Sequence, residues 1–271
     1  MKNYSRYFKL LALSLSVGLG MNTSLPVIAS IKDRTVTESS SEVADTLTAL
    51  GFKVPGVRYS RRRTGGLSRS SKECNGEFVS TTPLWPNLEE NEGGPVAVES
   101  TVNSNPTFFV HLSHESPQEA EFVVFKEEVV NNQKQQQIIH EEFLELSSNP
   151  TGDPQIVALS LPNDPEKQLE VGQYYHWIFS VICDPDDNSK NPVADGWVQR
   201  IPQDEALTAE LAGKQRRDYP DVYAERGIWT DSLMVLADLR KQYPNDLQLK
   251  EKWETLLKSV GLDEAVAAQN P

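Results

Sequence analysis

Four groups of residues have the types and spacing to do chemistry. The segment DPDDNSKNPVAD places Asp184, Asp186, Asn188 and Asp195 at positions 1, 3, 5 and 12 of a calcium loop, where oxygen ligands belong. Ser189 stands where that loop needs its turn glycine, and Asp195 is shorter than the usual glutamate. A polar hairpin loop is the simpler expectation, and no metal is expected. The acids Glu89, Glu90 and Glu92, and again Glu141, Glu142 and Glu145, contain pairs of the kind that cleave glycosides when two converge in one cleft. On an acidic chain such clusters are usually solvated faces. His111 and His114 are three apart, a spacing that sends them to opposite faces of a strand. His140 and His176 sit inside apolar segments and are expected to be packed or solvent-facing. Cys74 and Cys183 are the only cysteines. There is no H-E-x-x-H, G-x-S-x-G, C-x-x-C or phosphate-binding loop. No cofactor and no catalytic residue is therefore expected.

The compartment decides how the cysteines are read. Lys2, Arg6 and Lys9 precede the apolar stretch from Leu10 to Met21, Pro26 follows, and Val27, Ile28 and Ala29 supply a cleavage site. Residues 1–29 read as a secretory signal peptide. The apolar stretch is shorter than the roughly 20 residues a membrane span needs. No transmembrane anchor is expected after cleavage, and the chain is expected to be exported, periplasmic or extracellular. In such a compartment the two cysteines suggest a Cys74–Cys183 bridge, worth about 4–5 kcal/mol through loop entropy; two unpaired thiols are the alternative. The net charge is −13, and removing the basic leader makes it more negative. A surface of that sign repels nucleic acid.

The elements that must position these groups come next. Residues 30–73 read as a polar lead-in ending in an Arg/Gly/Ser-rich arm. One amphipathic patch, SEVADTLTALGF, aligns Val43, Leu47 and Leu50 before Gly51. In YSRRRTGGLSRSSK, Arg61, Arg62 and Arg63 form a possible anion-binding site; a solvated arm, or one docked on an acidic surface, is the plainer reading. Residues 74–202 read as a β-sandwich. Short runs rich in Val, Ile, Phe, Tyr and Trp begin at Pro106, with turn residues between them. Leu169, Gly172 and Tyr175 have the L-x-x-G-x-x-Y spacing of a tyrosine corner. The fold class expected is mainly β: an immunoglobulin/fibronectin-like antiparallel β-sandwich with a C-terminal α-helical unit. Alternation puts Tyr175, Trp177, Phe179, Val181 and Cys183 on its inner face.

After Pro202 the apolar period changes from 2 to 3.6, and residues 203–266 read as a helical tail; 267–271 are expected to be disordered. Trp229, Leu233, Leu236 and Tyr243 form one stripe, and Asn245 is a candidate cap for the helix carrying Leu249, Trp253, Leu256 and Leu257. Gly227, Trp229, Leu236 and Pro244 fall where one tetratricopeptide repeat places its turn glycine, aromatic, packing residue and proline. This suggests a partner surface at Trp229, Leu233, Leu236 and Trp253; an ordinary helical hairpin is the plainer alternative. Trp85, Trp197 or Tyr174 would stack on sugars if exposed.

Four blocks together resemble the cyanobacterial domain of unknown function 928 family. They are the arginine-glycine arm leading to Cys74, the PTFFVHL and EAEFVVF pair, LEVGQYYHWIFSVICDPDDNSKNPVADGWVQRI, and ERGIWTDSLMVLADLRKQYPNDLQLKEKWETLLKSVGLDEA. The resemblance implies export and a shared fold, and it carries no activity. The leading expectation for function is a non-catalytic binding or scaffolding module of the cell envelope with an envelope protein partner. A carbohydrate-binding protein is the alternative, and a carboxylate-dependent hydrolase a further one.

Overall fold

The computed structural model describes residues 58–60, 68–74, 76–86, 96–113, 119–130, 133–146 and 153–266. All of them belong to one compact unit. The signal-peptide segment, the amphipathic patch, Arg61, Arg62, Arg63, Glu89, Glu90, Glu92, His114 and residues 267–271 lie outside the described residues.

The strands are β1 (Arg58–Ser60), β2 (Ser68–Cys74), β3 (Glu77–Pro83), β4 (Val96–Thr101), β5 (Thr107–Leu112), β6 (Glu119–Val130), β7 (Gln133–Glu145), β8 (Gln155–Ser160), β9 (Tyr174–Val181) and β10 (Val193–Arg200). They pair in the order β7-β6-β9-β10-β2-β3-β5-β8. β10 joins the two halves of this path. Its first residues pair with β2 at Ala194 opposite Arg69, and its last run parallel to β4 at Val198 opposite Glu99. β1 pairs antiparallel with β4. The fold is thus mainly β with mixed strand pairing and C-terminal helices.

Part of the expected arm is therefore sheet. Ser68–Cys74 pairs with β3 through five residue pairs. Its side chains show no apolar alternation, so the backbone ladder and the buried Cys74 define it. β3 and β4 also precede Pro106, where the β pattern was expected to begin.

Residues from both halves of the path share one core. Phe108, Val110 and Leu112 of β5 pack in the same cluster as Phe122, Tyr175, Trp177 and Phe179. Phe108 stacks on Trp177 at 5.1 Å between ring centroids. β9 alternates strictly, with every second residue buried from Tyr175 to Val181. Cys74 and Cys183 form a disulfide across 109 residues of chain.

β5 is buried on both faces, because Phe109 and Ile156 of β8 belong to a second core with the helices. Those helices are α1 (Glu205–Ala212), α2 (Tyr219–Glu225), α3 (Trp229–Gln242), α4 (Leu247–Lys258) and α5 (Asp263–Val266). They form a layer against the sheet instead of an appended tail. Pro220 occupies the first turn of α2, where its missing N–H costs nothing. Gly227, at φ 68°, makes the left-handed turn into α3. The cap of α4 is Asp246, not Asn245: its carboxylate accepts the N–H groups of Gln248 and Leu249.

Candidate functional site

Helix α3 is amphipathic, and the direction of its apolar stripe sets the site. Trp229, Leu233 and Leu236 join Trp85, Phe109 and Ile156 in the second core, together with Trp253 of α4. These four residues are 1, 2, 0 and 1% exposed in the order Trp229, Leu233, Leu236, Trp253. The Trp229 indole donates to the Leu84 carbonyl at 2.7 Å. The expected partner surface at these residues is therefore corrected. The stripe is the docking face of the helical layer, since burying large side chains stabilises by about 2–3 kcal/mol each.

With the stripe turned inward, the seam between α2, α3 and α4 stays open as a groove of about 500 Å³. Pro220, Ala224 and Leu256 give it apolar lining, with Ser232 among them and Leu236 buried beneath. The Ser232 hydroxyl is already spent, donating to the Pro220 carbonyl at 2.7 Å. Asp221, Glu225, Glu251 and Lys252 supply the charge. Lys252 donates to Asp221 at 2.5 Å and to the Arg217 carbonyl at 3.2 Å, which neutralises one acid. Glu225 and Glu251 are exposed and leave the rim negative. The groove offers shape, apolar contact and negative charge, the elements of recognition.

A polar seam fastens β4 to α3. Thr230 donates to Glu99 at 2.5 Å, and the Val102 N–H donates to Asp231 at 3.2 Å. The Trp177 indole comes near Glu99 without completing a hydrogen bond. Burial pushes the Glu99 carboxyl up to about 8 and that of Asp231 up to about 6.

The remaining predicted residues are dispersed. The Tyr175 hydroxyl accepts the Glu170 N–H at 2.8 Å, Gly172 turns the chain at φ 83°, and Leu169 is buried. Asp195 does not join Asp184, Asp186 and Asn188: it lies on β10 and meets His176 Nε2 at 2.6 Å. Asp184 pairs with Lys190 at 2.7 Å, and among the described residues no three acidic, histidine or cysteine side chains are placed to hold a metal. This corrects the calcium-loop candidate. Trp85 and Trp197 are buried and Tyr174 is half-buried, which removes the two tryptophans as a sugar platform.

His176 stacks on Trp197 at 4.6 Å, a cross-strand Asp–His–Trp arrangement that sequence reasoning missed. Its only signal was the pairing of Tyr174–Val181 with Val193–Arg200, which requires knowing the register. Glu141 lies beside Glu121, where burial first and the neighbouring carboxylate second hold Glu121 above the usual carboxylate range. Glu142 approaches His140 at 3.3 Å, and Glu145 is exposed on β7. His111 is buried on β5.

The family described as Domain of Unknown Function (DUF928) matches residues 64–270. No curated protein matches the chain. The sporulation control protein Spo0M from Bacillus subtilis is similar at 9% identity and a TM-score of 0.27, over 45% of this chain and 48% of that one. A β-glucosidase involved in saponin metabolism from intestinal bacteria is similar at 11% identity and a TM-score of 0.21, over 49% of this chain and 16% of that one. At these values neither likeness bears on function.

Proposed function

We propose, from the premise that this chain belongs to the DUF928 family, that it is an exported, non-catalytic binding module of the cell envelope whose helical groove receives a partner protein. The observation that carries the reading is the groove between α2, α3 and α4: an apolar floor under a rim where Glu225 and Glu251 exceed the one neutralised pair. Charge complementarity commits it to one kind of occupant, a segment with one or two apolar side chains flanked by Lys or Arg. The Cys74–Cys183 bridge supports an oxidising compartment. The basic and apolar leader at residues 1–29 supports export. We read the strand layers as immunoglobulin-like on the support of the Tyr175 corner bond.

The test is a crosslinked pull-down from envelope extract with the oxidised chain. A chain lacking the helices would lose the cover of Trp85, Phe109 and Ile156, so the groove is altered by point substitution. The control is the Glu225→Lys, Glu251→Lys double variant, whose changes lie on exposed positions. A protein held by the wild type and lost with the variant supports the groove. Retention that ignores the variant overturns it.

A further inference from the structure

The path of strands ends at β7, which among the described residues pairs with β6 alone. β7 is 13 residues long, and ten of them are exposed, so its outer edge is open to solvent. Ile138 and Phe143 on its outer face are 51 and 64% exposed. β6 and β7 also reach beyond the rest of the sheet. The pairing of β6 with β9 ends at Lys126 opposite Tyr175, while residues 127–130 go on to pair with residues 133–136. That extension is a two-stranded arm, and two strands alone are marginally stable in water. A long edge of this kind is a template for a further strand.

A bulge decides which strand fits. His140 lies opposite Val124 and Ile138 opposite Phe125, which leaves Ile139 as an extra residue. Ile139 and His140 both turn to the core, where His140 meets Phe122 edge-on at 5.5 Å. The alternation is therefore out of step across the bulge: Gln136 and Ile138 face outward before it, Glu141 and Phe143 after it. A regular strand laid on this edge would match one half and present the wrong face to the other. The bulge thus guards the edge against foreign strands. A second β7 carries the same extra residue. In an antiparallel pair about a twofold axis, opposite side chains share a face. One register meets that condition along the whole strand. It sets Ile139 opposite the partner's His140, Ile138 opposite the partner's Glu141, Gln137 opposite the partner's Glu142 and Gln136 opposite the partner's Phe143. Charge points the same way. Residues 133–139 contain no acid, and 140–145 contain Glu141, Glu142 and Glu145. This register sets no acid opposite an acid, whereas an in-register parallel pair would stack them. Lys134 is already held by Glu127 at 3.4 Å and is not needed for the match. Ile138 comes diagonal to the partner's Phe143, so the exposed apolar side chains cover one another. Each arm also lies on the half of the other β7 that β6 and β9 support.

We propose that β7 pairs with β7 of a second copy of this chain, antiparallel about a twofold axis between Ile139 and His140, giving one sheet continuous across a dimer. The interface uses the sheet edge, so it is independent of the groove in the helical layer. The experiment is sedimentation velocity of the intact oxidised chain over a concentration series. A reversible monomer–dimer equilibrium is expected. Ile138→Glu sets a carboxylate opposite the partner's Glu141 and should raise the dissociation constant at least about tenfold. Adding Glu141→Lys to that variant sets opposite charges across the axis and should recover most of the affinity, a rescue specific to this register. Both positions are exposed, and an unchanged far-ultraviolet circular dichroism spectrum checks that each variant is folded. A chain that stays monomeric at its highest soluble concentration overturns the proposal and leaves the edge to a different chain. A dimer indifferent to Ile138→Glu, or one that Glu141→Lys does not recover, overturns it as well.

Discussion

At the scale of single residues, the most consequential group is Glu99. It is a carboxyl buried between β4 and α3, hydrogen-bonded by Thr230, with a pKa pushed up to about 8. A carboxyl raised in the folded state contributes its full stability below the unfolded pKa, and that contribution is lost as pH rises toward the folded value. Asp231, raised to about 6, completes its loss earlier. The window from pH 6 to 8 therefore belongs mainly to Glu99. Glu99→Gln keeps an acceptor for the Thr230 hydroxyl and removes the ionisation. Chemical unfolding at pH 6, 7 and 8 should show the wild type losing on the order of 1–3 kcal/mol across the window and the variant nearly level. Parallel profiles would show that Glu99 is not the titrating group. This seam was not legible in the sequence, because Glu99 and Thr230 are 131 residues apart and nothing local marks either as buried. The tyrosine corner was easier to see, since Leu169, Gly172 and Tyr175 lie within one short segment.

At the scale of elements, what the sequence displayed was periodicity, and what it withheld was direction. The alternation in β9 was readable because its buried face is made of large apolar side chains. The stripe on α3 was equally readable, yet it turned toward the sheet and left its flank for the groove. β2 was unreadable as a strand because Ser, Arg and Lys fill it. The need for glycine in β10 was also hidden. Gly196 lies opposite Trp177, and a Cβ there would stand 2.9 Å from the indole ring. Trp177 is itself fixed by its stack on Phe108. Gly196→Ala should therefore destabilise the fold by about 1–3 kcal/mol, measured as a lower thermal midpoint with reduced near-ultraviolet circular dichroism. An unchanged midpoint would mean that the indole moves aside freely.

At the scale of the whole molecule, the strands and helices are interdependent. β5 contributes one face to the core shared with β9 and the other to the helices, so a change in either reaches both. The helical unit was visible as helices, while its role as the cover of a sheet required the long-range contacts of Trp229 and Trp253. The same arrangement gives the helical layer a rigid backing for the groove. Its acidic rim is local, and Lys252 is paired with Asp221. We propose that this groove selects a basic and apolar segment. The most direct test is selection from a displayed random peptide library on the immobilised, oxidised chain, run in parallel on Glu225→Lys, Glu251→Lys. Enrichment of peptides placing Lys or Arg beside Leu, Ile or Phe is expected, with that enrichment lost on the variant. Peptides without cations, or the same peptides retained by both proteins, would contradict it.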